Sequence, residues 1–152
     1  MYLLDTNICI YIINNHPKHV VEHIKTLEPY QVKLSSISLA ELEYGVSKSK
    51  HRERNRQALV RFASAFDIIE FNDNDAEVYG LIRAELDKKG QIIGPYDMQI
   101  AAQTISRDLI LVTNNISEFS RISNIKLENW VENCPTSASA DTHPIRPHSF
   151  VD

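Results

Sequence analysis

Cysteine is nearly absent from the chain: Cys9 and Cys134 lie far apart, with no second thiol beside either. This excludes a disulfide scaffold and a zinc ribbon, and both residues read as inert small hydrophobes. Glycine is scarce as well, at 4 in 152 residues, which excludes a collagen-like repeat. Long apolar runs are missing. The longest, Ile8 to Ile13, falls well short of the roughly 18 apolar residues a membrane helix needs. Asp5 interrupts the apolar opening at once, so no secretory signal core is present, and a cytoplasmic protein without a membrane partner is expected. What remains is 43% hydrophobic and 24% charged, the balance of an ordinary globular chain and not of a disordered one. At about 150 residues per domain, it is long enough for one domain.

A strong charge of one sign is also lacking. Twenty acids against sixteen Lys and Arg give −4, which argues against binding nucleic acid through bulk charge alone. The distribution is uneven, however. Lys48, Lys50, Arg52, Arg54, Arg56 and Arg61 face one acid, Glu53, within one segment, so that segment carries +5 and the other residues −9. By itself such a strip reads first as a solvated helix face and second as a seat for a polyanion.

Strand-like runs at Tyr2–Leu4, Val32–Ser38, Ile68–Phe71, Leu109–Thr113 and Ile125–Leu127 alternate with helical segments. Ser38 and Glu41 have the spacing of a capping box opening a helix towards Lys48. Asn72 or Asp73 can cap another helix, with an apolar face of Val78, Leu81, Ile82 and Leu86 and a stop at Gly90 behind Lys88 and Lys89. A third opens at Gly94-Pro95 and buries Ile100, Ala101 and Ile105. Strands separated by helices imply an α/β fold with a mostly parallel sheet and right-handed crossovers. Residues 1–134 are expected to form this domain. In the tail, residues 135–152, only Ile145, Phe150 and Val151 are bulky and apolar; it is expected to be loose, to lie on a partner, or to be foreign to the native chain.

Three acids stand where parallel sheets bind ligands, beyond the carboxyl ends of strands: Asp5 after the first strand, Glu41 one turn into the helix after the second, and Asp97 in the first turn after Gly94-Pro95-Tyr96. Converging there, they would repel one another and their pKa values would rise unless a cation neutralised them. An all-oxygen set suits Mg2+, with Mn2+ able to substitute, better than zinc. A magnesium ion held by few carboxylates keeps several waters, one of which can attack a phosphodiester. Each acid also has a purely structural reading: Asp5 as a helix cap, Glu41 as half of a capping box, and Asp97 as an anion at a positive helix end.

Leu3-Leu4-Asp5-Thr6-Asn7, Ser38-Leu39-Ala40-Glu41-Leu42-Glu43-Tyr44-Gly45, Ile93-Gly94-Pro95-Tyr96-Asp97-Met98-Gln99-Ile100-Ala101-Ala102 and Leu111-Val112-Thr113-Asn114-Asn115-Ile116-Ser117-Glu118-Phe119 occur in this order, followed by Leu127-Glu128-Asn129-Trp130. Over roughly residues 1–132 this series resembles the PIN-domain ribonucleases of the VapC type, toxins of bacterial toxin–antitoxin pairs. The resemblance implies a three-layer αβα sandwich and makes Asp5, Glu41 and Asp97 the metal-binding acids, with Thr6 and Thr113 orienting carboxylates or water. Many PIN domains carry a fourth aspartate two residues after the threonine of the fourth strand; here Asn115 stands there, with Glu118 three residues on. An amide ligates without charge, so either Glu118 compensates or one ion suffices. The implied activity is hydrolysis of structured RNA, often transfer RNA, that stops translation. The implied partners are a VapB-like antitoxin and a second copy of the chain, in a dimer that grows into a larger assembly with the antitoxin. The arginine-rich segment would then hold the phosphate backbone beside an acidic centre.

Two other readings compete. A receiver-like signalling domain also places acids at strand ends, but it needs paired acids after the first strand and a lysine after a late one. Asp5 is followed by Thr6, and no lysine closely follows Thr113. A catalytically weak PIN module that acts by binding RNA or a protein stays open through Asn115. The run Ile8–Ile13 reads half as core and half as a dimer seam or antitoxin groove; His16, His19 and His23 read as surface histidines, and Glu43 is left outside the site.

Overall fold

The computed structural model describes residues 1–132, so Cys134 and the tail at 135–152 lie outside the described residues. Five short strands form one sheet in the order β3-β2-β1-β4-β5, and every neighbouring pair is parallel. They are β1 (Tyr2–Leu4), β2 (Val32–Ser35), β3 (Asp67–Ile69), β4 (Ile110–Val112) and β5 (Leu127–Glu128). The helices are α1 (Thr6–Ile13), α2 (Lys18–Lys25), α3 (Ser36–Lys48), α4 (Arg52–Ala63), α5 (Asp73–Lys89), α6 (Pro95–Ser106) and the short α7 (Ile116–Phe119).

Period-2 alternation divides the core into two layers. Leu4, Leu34 and Val112 face one side, where they meet Ile8 and Cys9 of α1, Val20 of α2, Leu42 and Val46 of α3, and Leu59 and Phe62 of α4. Leu3 and Leu111 face the other, against Ile82 and Leu86 of α5, Ile100 and Ala101 of α6, and Phe119 of α7. Helices therefore cover both faces of the sheet, giving the αβα sandwich. No helix among the described residues is long and apolar enough to cross a membrane.

Local chemistry sets most element ends. Asn72 and Asp75 exchange side-chain and backbone hydrogen bonds in a capping box at the start of α5. Gly90 ends α5 at φ 62°, a left-handed conformation that glycine adopts without steric cost. Pro95 takes the first position of α6, where its missing N–H is harmless.

Several expectations need correction. The second strand stops at Ser35 instead of running to Ser38, because the Ser35 hydroxyl accepts the Ile37 N–H and caps α3 there. Ser38 is consequently inside the helix and buried, and its hydroxyl turns to the Leu4 carbonyl at 3.4 Å; no Ser38–Glu41 capping box forms. β3 and β5 are shorter than expected and displaced, to Asp67–Ile69 and Leu127–Glu128. On α5, Val78, Ile82 and Leu86 form the inward stripe at i, i+4, i+8, while Leu81 lies beyond its edge and is 67% exposed. Of the three histidines expected at the surface, His16 and His23 are exposed. His19 is half-buried, its Nε2 2.9 Å from the Val131 carbonyl, and the His23 ring packs edge-on against Trp130. Both tie α2 to the segment after β5.

Candidate active site

Strand order fixes where a ligand can enter. The chain winds outward from β1 through β2 to β3, then returns to the other side of β1 with β4 and β5. The direction reverses between β1 and β4, and in such sheets a crevice opens beyond the carboxyl ends of that strand pair. Asp5 and Thr113 are the residues immediately after those two strands.

Asp5 is 3% exposed and both of its oxygens are committed. Oδ1 accepts the Thr6 N–H at 2.7 Å, so Asp5 is indeed the cap of α1. Oδ2 accepts the Thr113 hydroxyl at 2.8 Å. The Thr113 oxygen in turn accepts the Asn115 N–H at 3.0 Å. Asn115 therefore enters the site through its backbone, which fixes the direction of the Thr113 hydroxyl. It also stands at the start of α7, and its carbonyl accepts the Glu118 N–H.

Glu41 lies in the second turn of α3, and its Oε2 accepts the Thr6 hydroxyl at 2.5 Å. Thr6 thus links two of the acids, its N–H on Asp5 and its hydroxyl on Glu41. Asp97 is the third residue of α6, behind a glycine whose missing side chain matters: a methyl group at Gly94 would sit 3.3 Å from Asp97 Oδ2. Glu43, two residues from Glu41, turns away and pairs with Arg56 of α4.

The acids sense one another. Burial raises the Asp5 pKa to about 7, with the charges of Asp97 and Glu41 adding to the rise and the hydrogen bonds from Thr113 and Thr6 opposing it. Burial likewise raises Asp97 to about 6, helped by repulsion from Glu41 and Glu118. Four acids from α3, α6, α7 and the end of β1 thereby share one field. As the side chains stand, no three acidic, histidine or cysteine side chains among the described residues close into a metal cage. Cys9 is buried beside the acids, and that burial pushes its thiol well above the usual range.

A groove of about 550 Å³ leads to the cluster from the side of α1 and α3. Thr6 and Glu41 of the cluster line it together with Ile10, Tyr44, Lys48 and Tyr96. The Lys48 ammonium sits 5.0 Å from the centre of the Tyr44 ring. Arg52, Arg54, Arg56 and Arg61 follow on α4, where Arg56 is paired with Glu43.

Sequence reading missed Tyr11 and Asn114. The Tyr11 hydroxyl accepts from the Asn114 amide at 3.0 Å, and Asp5 lies near enough to raise the Tyr11 pKa further, beyond what burial does. A tyrosine inside the hydrophobic run of α1 was the available signal. Ser35 and Gln103, which hold α3 and α6 together, were also missed.

Comparison with known proteins agrees with this architecture. Residues 2–125 match the PIN domain family. Ribonuclease VapC2 of Rickettsia felis is 49% identical over 131 residues, 86% of this chain and 98% of its own length. The tRNA(fMet)-specific endonuclease VapC of Salmonella typhimurium is 43% identical over 85% of this chain and 97% of its own. Among solved structures, the crystal structure of VapBC2 from Rickettsia felis bound to a DNA fragment from its promoter superposes with a TM-score of 0.81 at 48% identity, covering 85% of this chain and 98% of that one. The chain belongs to the PIN-domain family and, within it, to the VapC-type ribonucleases of toxin–antitoxin pairs.

Proposed function

We propose that residues 1–134 form a nuclease domain that hydrolyses phosphodiester bonds of structured RNA, with a transfer RNA as substrate, and so inhibits translation. The observation that carries this reading is the acid cluster at the β1–β4 switch point, where Asp5 and Asp97 are pushed up to about 7 and about 6 by burial and by their neighbours. Such a cluster calls for a cation, and its donors are all oxygens, which fits Mg2+ with Mn2+ able to substitute. Asp5, Glu41 and Asp97 would hold the ion, with Glu118 close enough to add charge. When bound, the ion supplies an activated water and offsets charge on the phosphate.

The chain's own groups do the positioning. Thr6 and Thr113 fix Asp5 from two directions, and Thr6 restrains Glu41, so two of the three acids are oriented before any ligand arrives. Asp97 is the freer acid. Lys48 offers a seat for a phosphate in the groove, and Tyr44 and Tyr96 present exposed rings against which bases can stack. The tRNA(fMet) specificity named for the Salmonella relative supports a transfer RNA as the substrate class. The VapBC complexes among similar structures support a VapB-like antitoxin as partner; a homodimer that assembles further with it rests on the family resemblance alone.

The test is cleavage of total RNA and of purified transfer RNAs by the antitoxin-free protein, with Mg2+, with Mn2+ and with a chelator, beside Asp5→Asn. Discrete fragments that require the metal and vanish in the variant are expected. Intact RNA in every lane, from protein shown to be folded, would replace this reading by a module that only binds RNA or a protein.

A further inference from the structure

Gln103 is 0% exposed, six residues beyond Asp97 on α6, a helix that also buries Ile100, Ala101 and Ala102. A buried amide must find partners, because each group left alone carries its desolvation penalty uncompensated. The partners it finds are specific. Its Oε1 accepts the Ser35 hydroxyl at 2.5 Å, and its Nε2 donates to the Ile69 carbonyl at 3.2 Å. Ser35 and Ile69 are register partners, the last residues of β2 and β3. One side chain therefore fastens α6 to the carboxyl ends of two adjacent strands.

Ser35 is also the cap of α3, its hydroxyl oxygen accepting the Ile37 N–H at 3.0 Å, and Glu41 follows six residues later on that helix. Two helices are thus tied at one level by Ser35 and Gln103, and the acids stand six residues away on each, Glu41 on α3 and Asp97 on α6. At about 1.5 Å per residue, that is roughly 9 Å along both axes. With Gln103 opposite Ser35 and Asp97 within electrostatic reach of Glu41, the helices run in opposite directions along this stretch. Like charges at one end push α3 and α6 apart, and the Ser35–Gln103 bond resists that at the other.

We propose that Gln103 is a positioning residue, whose bonds to Ser35 and Ile69 register α6 against α3 and so keep Glu41 and Asp97 close enough to serve one divalent cation. This rests on the reading of those acids as cation ligands. Groups that orient ligands in this indirect way typically contribute about 10- to 100-fold to metal affinity.

The test is Mn2+ binding to the full chain, followed by the loss of the free-ion electron paramagnetic resonance signal, in the wild type, Gln103→Met and Thr104→Val. Gln103→Met keeps the volume and removes both bonds. Thr104 is the equally buried neighbour, but its hydroxyl serves only the Ile100 carbonyl of its own helix, at 2.9 Å, so Thr104→Val reports ordinary loss of helix stability. Both variants should unfold at lower temperature. Only Gln103→Met should weaken Mn2+ binding, on the order of 10-fold, while RNA affinity measured in chelator stays unchanged. Equal Mn2+ affinity in Gln103→Met and Thr104→Val overturns the inference. A wild type that binds no Mn2+ overturns the cation reading itself and takes this inference with it. If Gln103→Met does not fold, Ser35→Ala breaks the same bond from the other side, and unchanged Mn2+ affinity there is equally contradictory.

Discussion

Two buried aspartates in this molecule carry opposite electrostatics. Asp5 is 3% exposed and accepts hydrogen bonds from Thr6 and Thr113; Asp75, at the start of α5, is 0% exposed and accepts from Asn72, Ser106 and Arg107. Burial pushes both pKa values up. For Asp75, the bonds from Arg107 and Ser106 outweigh it and the pKa falls below the ordinary range. At Asp5 burial prevails over the hydrogen bonds from Thr113 and Thr6, the charges of Asp97 and Glu41 add to it, and the pKa rises to about 7. The difference lies in the weight of burial and in the partner: burial weighs most at Asp5, whose charged neighbours are only more acids, whereas Asp75 has a guanidinium within reach. The Asp75 cluster is complete and clamps α5, α6 and the Glu70 carbonyl after β3 together. The Asp5 cluster lacks a positive charge, and that absence is what a metal ion would fill.

The comparison can be broken first through activity. Asp97→Asn should lower RNA cleavage on the order of 100- to 1000-fold in single-turnover assays, with the fold intact by circular dichroism. Arg107→Ala should do the reverse: it strands Asp75 and costs about 2–3 kcal/mol in urea unfolding, less than a fully buried pair because Arg107 is partly exposed, while the folded fraction keeps its activity. A denaturation curve unchanged from wild type would contradict the role given to Arg107.

Stability of the metal-free protein sharpens the contrast, because the same substitution should act with opposite sign at the two sites. Asp5→Asn removes a buried charge that lacks a cation and should stabilise the metal-free protein by roughly 2 kcal/mol at pH 8. Asp75→Asn should destabilise it by a similar amount. The smallest effect is on pH dependence. A raised carboxylate pKa means that folding disfavours the charged form, so the metal-free protein should gain stability as pH falls from 8 through the Asp5 value of about 7. The lowered Asp75 contributes fully above its unfolded value, ordinarily 3.8, and its contribution is lost as pH falls through its lower folded value. Thermal melts in chelator should therefore peak between the two, with shifts of a few degrees.

The acid cluster was legible in the sequence because strand-end acids and first-turn positions follow from local signals. Asp5 directly after Leu3-Leu4 and Asp97 two residues after Pro95 need no tertiary information to be placed. The start of α3 was misplaced because three serines, Ser35, Ser36 and Ser38, all qualify as caps, and the Glu41 spacing favoured Ser38. Glu41 instead turns to Thr6, a contact across 35 residues that no local pattern encodes. Leu81 carried an apolar side chain on the wrong side of its stripe. Gln103 looked like an ordinary polar residue in a helix, since its two partners are supplied by strands far away in sequence.

The most direct measurement of the central claim is thermal unfolding of the wild type and of Asp5→Asn, each with saturating Mn2+ and with chelator. A ligand present at about 100 times its dissociation constant adds about 2.7 kcal/mol to the folded state. The account predicts a rise of several degrees for the wild type on adding Mn2+ and little or none for Asp5→Asn. An equal rise in both proteins, or none in either, would contradict a cation held at the β1–β4 switch point.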